Sequence, residues 1–188
     1  MPSPYLYFAD DRLSIAELSA ARLDGHLVEL GEGYIPADAV ETSALRAASL
    51  TELLGHTLAA THLSAAWVHG ALPDPPARHC VQRCVPQRLH HVFGRRIVYR
   101  ELRVLDEDLH RIGGVLVTSP ARTLADLARV PDAQHLRAAT SLAAATAGLA
   151  ATAWEWLHAQ GSLPRKRPAM SLLRQLDAAC ALQEDVTR

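Results

Sequence analysis

Lysine is almost missing from this 188-residue chain: of its nineteen basic side chains eighteen are arginine, and the sole lysine is Lys166. A magnesium-dependent nuclease of the restriction type needs clustered carboxylates and a lysine beside paired strands. Lys166 stands instead in a stretch bounded by Pro164 and Pro168. Cysteine is scarce as well. Cys80, Cys84 and Cys180 are odd in number and too few for a disulfide framework. On a strand, Cys80 and Cys84 would lie about 13 Å apart, and C-x3-C with His79, His90 or His91 but no second close pair is a weak zinc signal. Reduced, structural thiols are expected. No apolar run reaches about 18 residues, and the opening MPSPYLYFADD has no basic, apolar leader pattern. A cytoplasmic protein without a membrane segment is expected. Neither G-x-S-x-G nor a phosphate-cradling glycine loop occurs, Gly31-Glu32-Gly33 being only a turn. The expectation is no catalytic residue, no metal and no cofactor.

What is present is charge, unevenly placed. Residues 1–60 carry nine acids against Arg12, Arg22 and Arg46, a net of −6, whereas residues 77–103 carry seven arginines against Glu101 alone, a net of +6. His79, His90 and His91 add adaptable positive charge there. Such asymmetry favours an anionic partner for the middle segment, either nucleic acid or an acidic protein surface. A solvated face balanced by the acidic N-terminal segment is the other reading.

Periodicity and caps predict the elements. Ser14 with Glu17 is a capping-box signature opening a helix through Leu23 that buries Ile15, Leu18 and Leu23. Strands at His26–Leu30 and Tyr34–Ile35 flank the Gly31-Glu32-Gly33 turn. Helix plus hairpin makes the back half of a winged helix, with room for little before it. Thr42–Leu54 reads as one helix ending at Gly55, and Thr61–His69 as another. The alternation of 78–85 and 95–104 predicts neighbouring strands; if the run Val115–Val117 pairs with them, Arg83, Arg96 and Arg100 could share a polar sheet face. Asp106–Arg111 suits a short helical turn. Helices are expected from Asp132 to Ala147, from Thr152 to Gln160 and, after a basic linker at 163–168, from Ala169 to Leu182.

The densest signal is Gly113–Val130, GGVLVTSPARTLADLARV. Val115–Val117 is a short apolar strand, Ser119 an N-cap and Pro120 the first helical residue. Leu124, Leu127 and Ala128 then form one stripe, and Arg122 and Asp126 stand four apart, where they can pair across a turn and lock the helix against the strand before it.

This strand followed by T-S-P-x-R-T-L-x-D-L, at Thr118–Leu127, resembles the C-terminal part of AbiEi-type antitoxins of type IV toxin–antitoxin systems and of related actinobacterial transcriptional regulators. The likeness extends loosely over residues 12–180. It implies a regulator that binds its own promoter DNA through an N-terminal winged helix, here Ser14–Ile35, and that counteracts a cognate nucleotidyltransferase-like toxin through the region Arg78–Asp126. The residues themselves say something different about the first role. A helix bearing Glu17 and Asp24 without lysine is a poor partner for phosphates, so nucleic-acid or partner contacts are expected from Arg83, Arg88, Arg95, Arg96 and Arg100. The alternative is a non-enzymatic interaction module without DNA binding, whose basic sheet meets an acidic partner or a second subunit in a homodimer. The expected fold is α+β: an incomplete winged-helix-like unit at 1–40, then at 41–188 an AbiEi C-terminal-like α/β domain, with a small basic mixed sheet, flanking helices and a helical C-terminal portion.

Overall fold

The element order follows from where caps and buried runs fall in the chain. A computed structural model describes residues 4–90 and 94–186. Helix α1 (Ile15–Leu23) opens on the full capping box, with Ser14 and Glu17 each satisfying the other's backbone N–H. Strands β1 (Leu27–Leu30) and β2 (Gly33–Pro36) pair antiparallel as a hairpin. Of the three apolar residues expected inward on α1, only Leu18 is buried. Ile15 is 64% and Leu23 81% exposed, because the helix leans on the hairpin along a single line and most of its circumference faces solvent.

Helices α2 (Ser43–Ala48) and α3 (Thr51–Leu54) replace the single helix expected over 42–54. Ser49 and Thr51 donate their hydroxyls back to the carbonyls of Arg46 and Ala48, competing with the helical ladder at the break. Strand β3 (Leu58–Ala60) was not visible in the sequence, yet it is central: the sheet order is β5-β4-β3-β7-β6, with β4 (His79–Arg83), β5 (Ile97–Arg100), β6 (Leu109–Ile112) and β7 (Val115–Thr118). β3 runs antiparallel to β4 and parallel to β7, and β4 runs parallel to β5. The strand Val115–Thr118 is therefore not a neighbour of β4; β3 lies between them. The expected helical turn at Asp106–Arg111 shrinks to a 3-10 turn at Asp106–Asp108, and β6 hairpins with β7 through Gly113-Gly114.

Helix α4 (His62–Val68) is buried along all seven residues. Helix α5 (Pro120–Ala128) begins where expected, Ser119 Oγ accepting from the Arg122 N–H. Helices α6 (Ala133–Ala144), capped by Asp132, α7 (Leu149–Ala159) and α8 (Lys166–Val186) complete the chain. The expected basic linker is partly the first turn of α8, whose Lys166 ammonium donates to carbonyls at the end of α7. Two apolar clusters result. One joins α5 to α8 with Leu63 and Ala66 of α4; the other joins the hairpin, α2, α3 and the sheet with Ala65, Trp67 and Val68 of the same helix. No helix among the described residues is long and apolar enough to cross a membrane.

Candidate functional site

The sequence-expected arginines divide among three environments, set by strand register. Arg83 ends β4 and bends back, donating from Nη1 to the carbonyls of Val85 and Pro86 at 2.8 Å each. Glu101 Oε1 lies 3.7 Å from both Arg83 and Arg88. Arg88 is exposed, and Arg95 and Arg96 stand in the turn that feeds β5, an edge strand. Arg96 is 64% exposed and still reaches Glu32 Oε2 at 2.9 Å. Part of the charge asymmetry is thus spent inside the chain, acidic hairpin against basic sheet edge. His79 is buried, its Nδ1 3.1 Å from Ser64 Oγ and its Nε2 3.4 Å from Glu32 Oε1; it is a core residue and not part of an adaptable positive surface. His90 is exposed, and His91 lies outside the described residues.

Arg100 goes elsewhere. It is the register partner of Gln82 across β4 and β5, so the two share a face, opposite to Arg83. That face meets the start of α4, the end of α5 and the connection between α7 and α8 around a cavity of about 340 Å³. Its lining includes His62, Gln82, Arg100, Arg129 and Arg165. Sequence reasoning left His62, Gln82 and Arg129 unremarked and took Arg165 only as part of a basic, solvated linker, since each comes from a different element and no local spacing connects them. The one sequence signal was the basic run at 163–168 bounded by prolines; in the structure Arg165 sits at φ 57° between Pro164 and Lys166.

Beside the cavity lies a buried ionic network. Arg122 donates from Nε to Asp126 at 2.8 Å and from Nη1 to Asp108 at 2.6 Å, and its guanidinium stacks 4.5 Å from the Trp156 ring centroid. Trp156 Nε1 donates to the other oxygen of Asp108 at 2.7 Å, and Arg129 Nη1 to the other oxygen of Asp126 at 3.0 Å. Burial alone would lower the Arg122 pKa, but Asp126 and then Asp108 outweigh it and hold the group above its ordinary value. Asp108, Arg129 and Trp156 were not foreseen as partners of the Arg122–Asp126 pair. They arrive from a 3-10 turn, from the end of α5 and from α7. Cys80 and Cys84 are buried, and burial pushes both thiols above their ordinary pKa. Among the described residues no group of His, Cys, Asp and Glu is arranged to hold a metal.

The AbiEi antitoxin C-terminal domain family matches residues 58–176 of this chain, from the first residue of β3 into α8. The chain belongs to that family. The match begins after α1, the hairpin, α2 and α3, so those elements precede the AbiEi segment and the sheet, the cavity and the Arg122 network all lie within it. The crystal structure of the RV2827C protein from Mycobacterium tuberculosis is similar, at 17% identity and a TM-score of 0.46, over 89% of this chain and 70% of that one. No curated protein matches.

Proposed function

We propose that this AbiEi-family chain is a non-enzymatic antitoxin and regulator that acts in the cytoplasm, binds DNA upstream of its own gene and counteracts a nucleotidyltransferase-like toxin. The observation that carries the reading is the family match over residues 58–176, from β3 into α8. Its charge supports a placement: phosphate contacts come foremost from Arg88, Arg95 and Arg96 on the outer sheet edge, with Arg83 behind them, whereas Arg100 faces the cavity on the opposite side of the sheet. Fluorescence anisotropy against the upstream duplex and a scrambled duplex, across a salt series, tests it. Sequence-preferring affinity is expected, and alanine at Arg88 and Arg95 together lowers the slope of log K against log salt by about 2, one for each lost phosphate. An unchanged slope removes the placement, and equal, weak binding to both duplexes removes DNA as the partner.

The second reading, a protein-interaction module without DNA binding, draws on the Arg96–Glu32 pair, in which acidic and basic segments of this chain already meet. The same complementarity between two copies would make a homodimer whose apparent mass falls as salt rises. A salt-independent mass argues against it.

A further inference from the structure

We infer that the cavity between the Gln82–Arg100 sheet face, α4, α5 and the α7–α8 connection binds a phosphate monoester of mononucleotide size. The inference stands apart from the proposed antitoxin role and does not depend on it.

The lining is built for an anion. Arg100, Arg129 and Arg165 line the cavity together with Asp126, and Arg122 and Asp108 stand behind Asp126, so four guanidiniums face two carboxylates. Asp132, beyond Pro131, is taken by His135, and Glu101 by Arg83 and Arg88. Two positive charges are left over, which a dianionic phosphate monoester neutralises and a carboxylate does not. Arg100 Nε is buried without a hydrogen-bond partner, although a guanidinium out of water requires one. Arg165 is exposed, and its side chain pairs with no carboxylate among the described residues. Arg129 is held in place, its Nε donating to the Pro164 carbonyl at 3.1 Å and its Nη1 to Asp126. A fixed fork flanked by two unmatched ones suits a tetrahedral anion with several acceptor oxygens.

A bare phosphate leaves most of 340 Å³ empty, a volume in the range of small-molecule sites. Besides Asp126 and the neutral His62 ring, the remaining walls are Leu102, Val130, Pro131 and Pro164, which are apolar. Gln82 is 2% exposed, and its Oε1 has no hydrogen-bond partner. An amide so deep in a sheet core is costly unless something donates to it. A ligand with a flat apolar body and a polar edge completes the site: phosphate on the arginines, body between Leu102 and the prolines, edge on Gln82. Among the described residues, two of the three non-glycine residues at positive φ, His62 at 49° and Arg165 at 57°, line this one cavity. Strain of this kind persists where surrounding structure over-determines the backbone, and it concentrates at ligand sites.

Isothermal titration of the full chain with AMP, GMP, CMP and UMP, each beside its nucleoside and beside inorganic phosphate, tests the inference. The expected result is saturable one-to-one binding of at least one nucleotide at micromolar concentration, with its nucleoside silent and phosphate at least tenfold weaker. Arg100→Gln and Arg165→Ala should each weaken it tenfold or more. The exposed, unpaired Arg165 makes its variant safe for folding, and far-UV circular dichroism verifies both. No saturable heat from any of the four nucleotides at millimolar concentration overturns the inference. Binding of phosphate as tight as that of the nucleotides, or affinity unchanged in Arg165→Ala, overturns it too.

Discussion

Arg122 is the side chain on which two buried carboxylates depend. Asp108 and Asp126 are 6% and 1% exposed, and both accept from that guanidinium at hydrogen-bond distance, Asp126 having Arg129 as a second partner. Replacing the whole network by apolar groups of the same volume is the neutral route, but removing Arg122 alone leaves Asp108 with no cation and only the Trp156 N–H, and leaves Asp126 with Arg129 alone. Arg122→Ala should therefore cost about 3–5 kcal/mol, read as a lowered urea midpoint. Arg122→Lys recovers only part of this, because one ammonium cannot reproduce two directed N–H bonds and the stacking on Trp156. Full stability in Arg122→Ala would overturn this assignment. His62 makes the second prediction at this scale. Burial lowers its pKa to about 4, with Arg100, His135 and Arg129 adding to the effect and Asp126 opposing it. Its neutral ring is T-stacked on His135 at 6.2 Å between centroids. The folded pKa lies below the ordinary value of about 6.5, so the unfolded chain gains a proton first as pH falls. Stability is full above pH about 6.5, declines down to about 4, and His62 causes no further decline below that. The His62 contribution is on the order of 3 kcal/mol. Asparagine accepts the positive φ at this position, so the difference in urea midpoint between wild type and His62→Asn, taken from pH 7 to pH 4, isolates it. Parallel pH profiles of the two proteins would refute the assignment.

At the scale of elements, the β6–β7 hairpin is held by a contact that its turn alone does not reveal. Gly113, at φ 55°, approaches α2 so closely that an added Cβ would collide with the Ala44 carbonyl and come within 2.8 Å of the Ala48 nitrogen. Gly114, at φ 91°, has nothing within 4 Å of that position. Gly114→Ala should cost roughly 1–2 kcal/mol in backbone strain, whereas Gly113→Ala adds overpacking against a helix backbone and should cost about 2–5 kcal/mol in all. Thermal midpoints of the two variants check the order, and equal losses would deny the close approach. The same region shows which elements the sequence discloses. Ser119-Pro120 and the stripe of α5 are local signals, a cap and a period, and α5 begins where they place it. β3 is Leu58-Ala59-Ala60, three residues without a β-branched side chain and buried on both faces; its identity is set by β4 and β7 on either side, not by itself. The strand at Leu109–Ile112 is likewise fixed by its pairing with β7, whereas the break between α2 and α3 has a local cause, the Ser49 and Thr51 hydroxyls, that an alanine- and leucine-rich run hides. For the site, the i,i+4 spacing of Arg122 and Asp126 was legible, as was the basic character of 77–103. Which arginines turn outward was not, since Gln82 and Arg100 share a face only through the parallel β4–β5 register.

Over the whole molecule, α4 is the joint. Its buried residues divide between the two apolar clusters, Leu63 and Ala66 facing the C-terminal helices and Ala65, Trp67 and Val68 facing the sheet and hairpin. Neither cluster keeps its inner wall if the other dissolves, so the two should unfold together even though their residues come from opposite ends of the chain. The three tryptophans make this measurable. Trp67 lies in the sheet cluster, and Trp154 and Trp156 pack on the helical one. Trp67→Phe leaves only the helical reporters, and its loss of the indole N–H is mild because Trp67 Nε1 has no partner. The double variant Trp154→Phe, Trp156→Phe leaves only Trp67, at the cost of the bond to Asp108. Each variant has its own stability, so the comparison is internal: in each, the urea midpoint from fluorescence should coincide with that from far-UV circular dichroism. Separate midpoints in either variant would show that α4 does not couple the clusters. The exception expected is α1, which buries only Leu18. With so little apolar surface to lose, its amides should exchange with deuterium through local opening, while those of α4 and β3 exchange only when the whole chain unfolds.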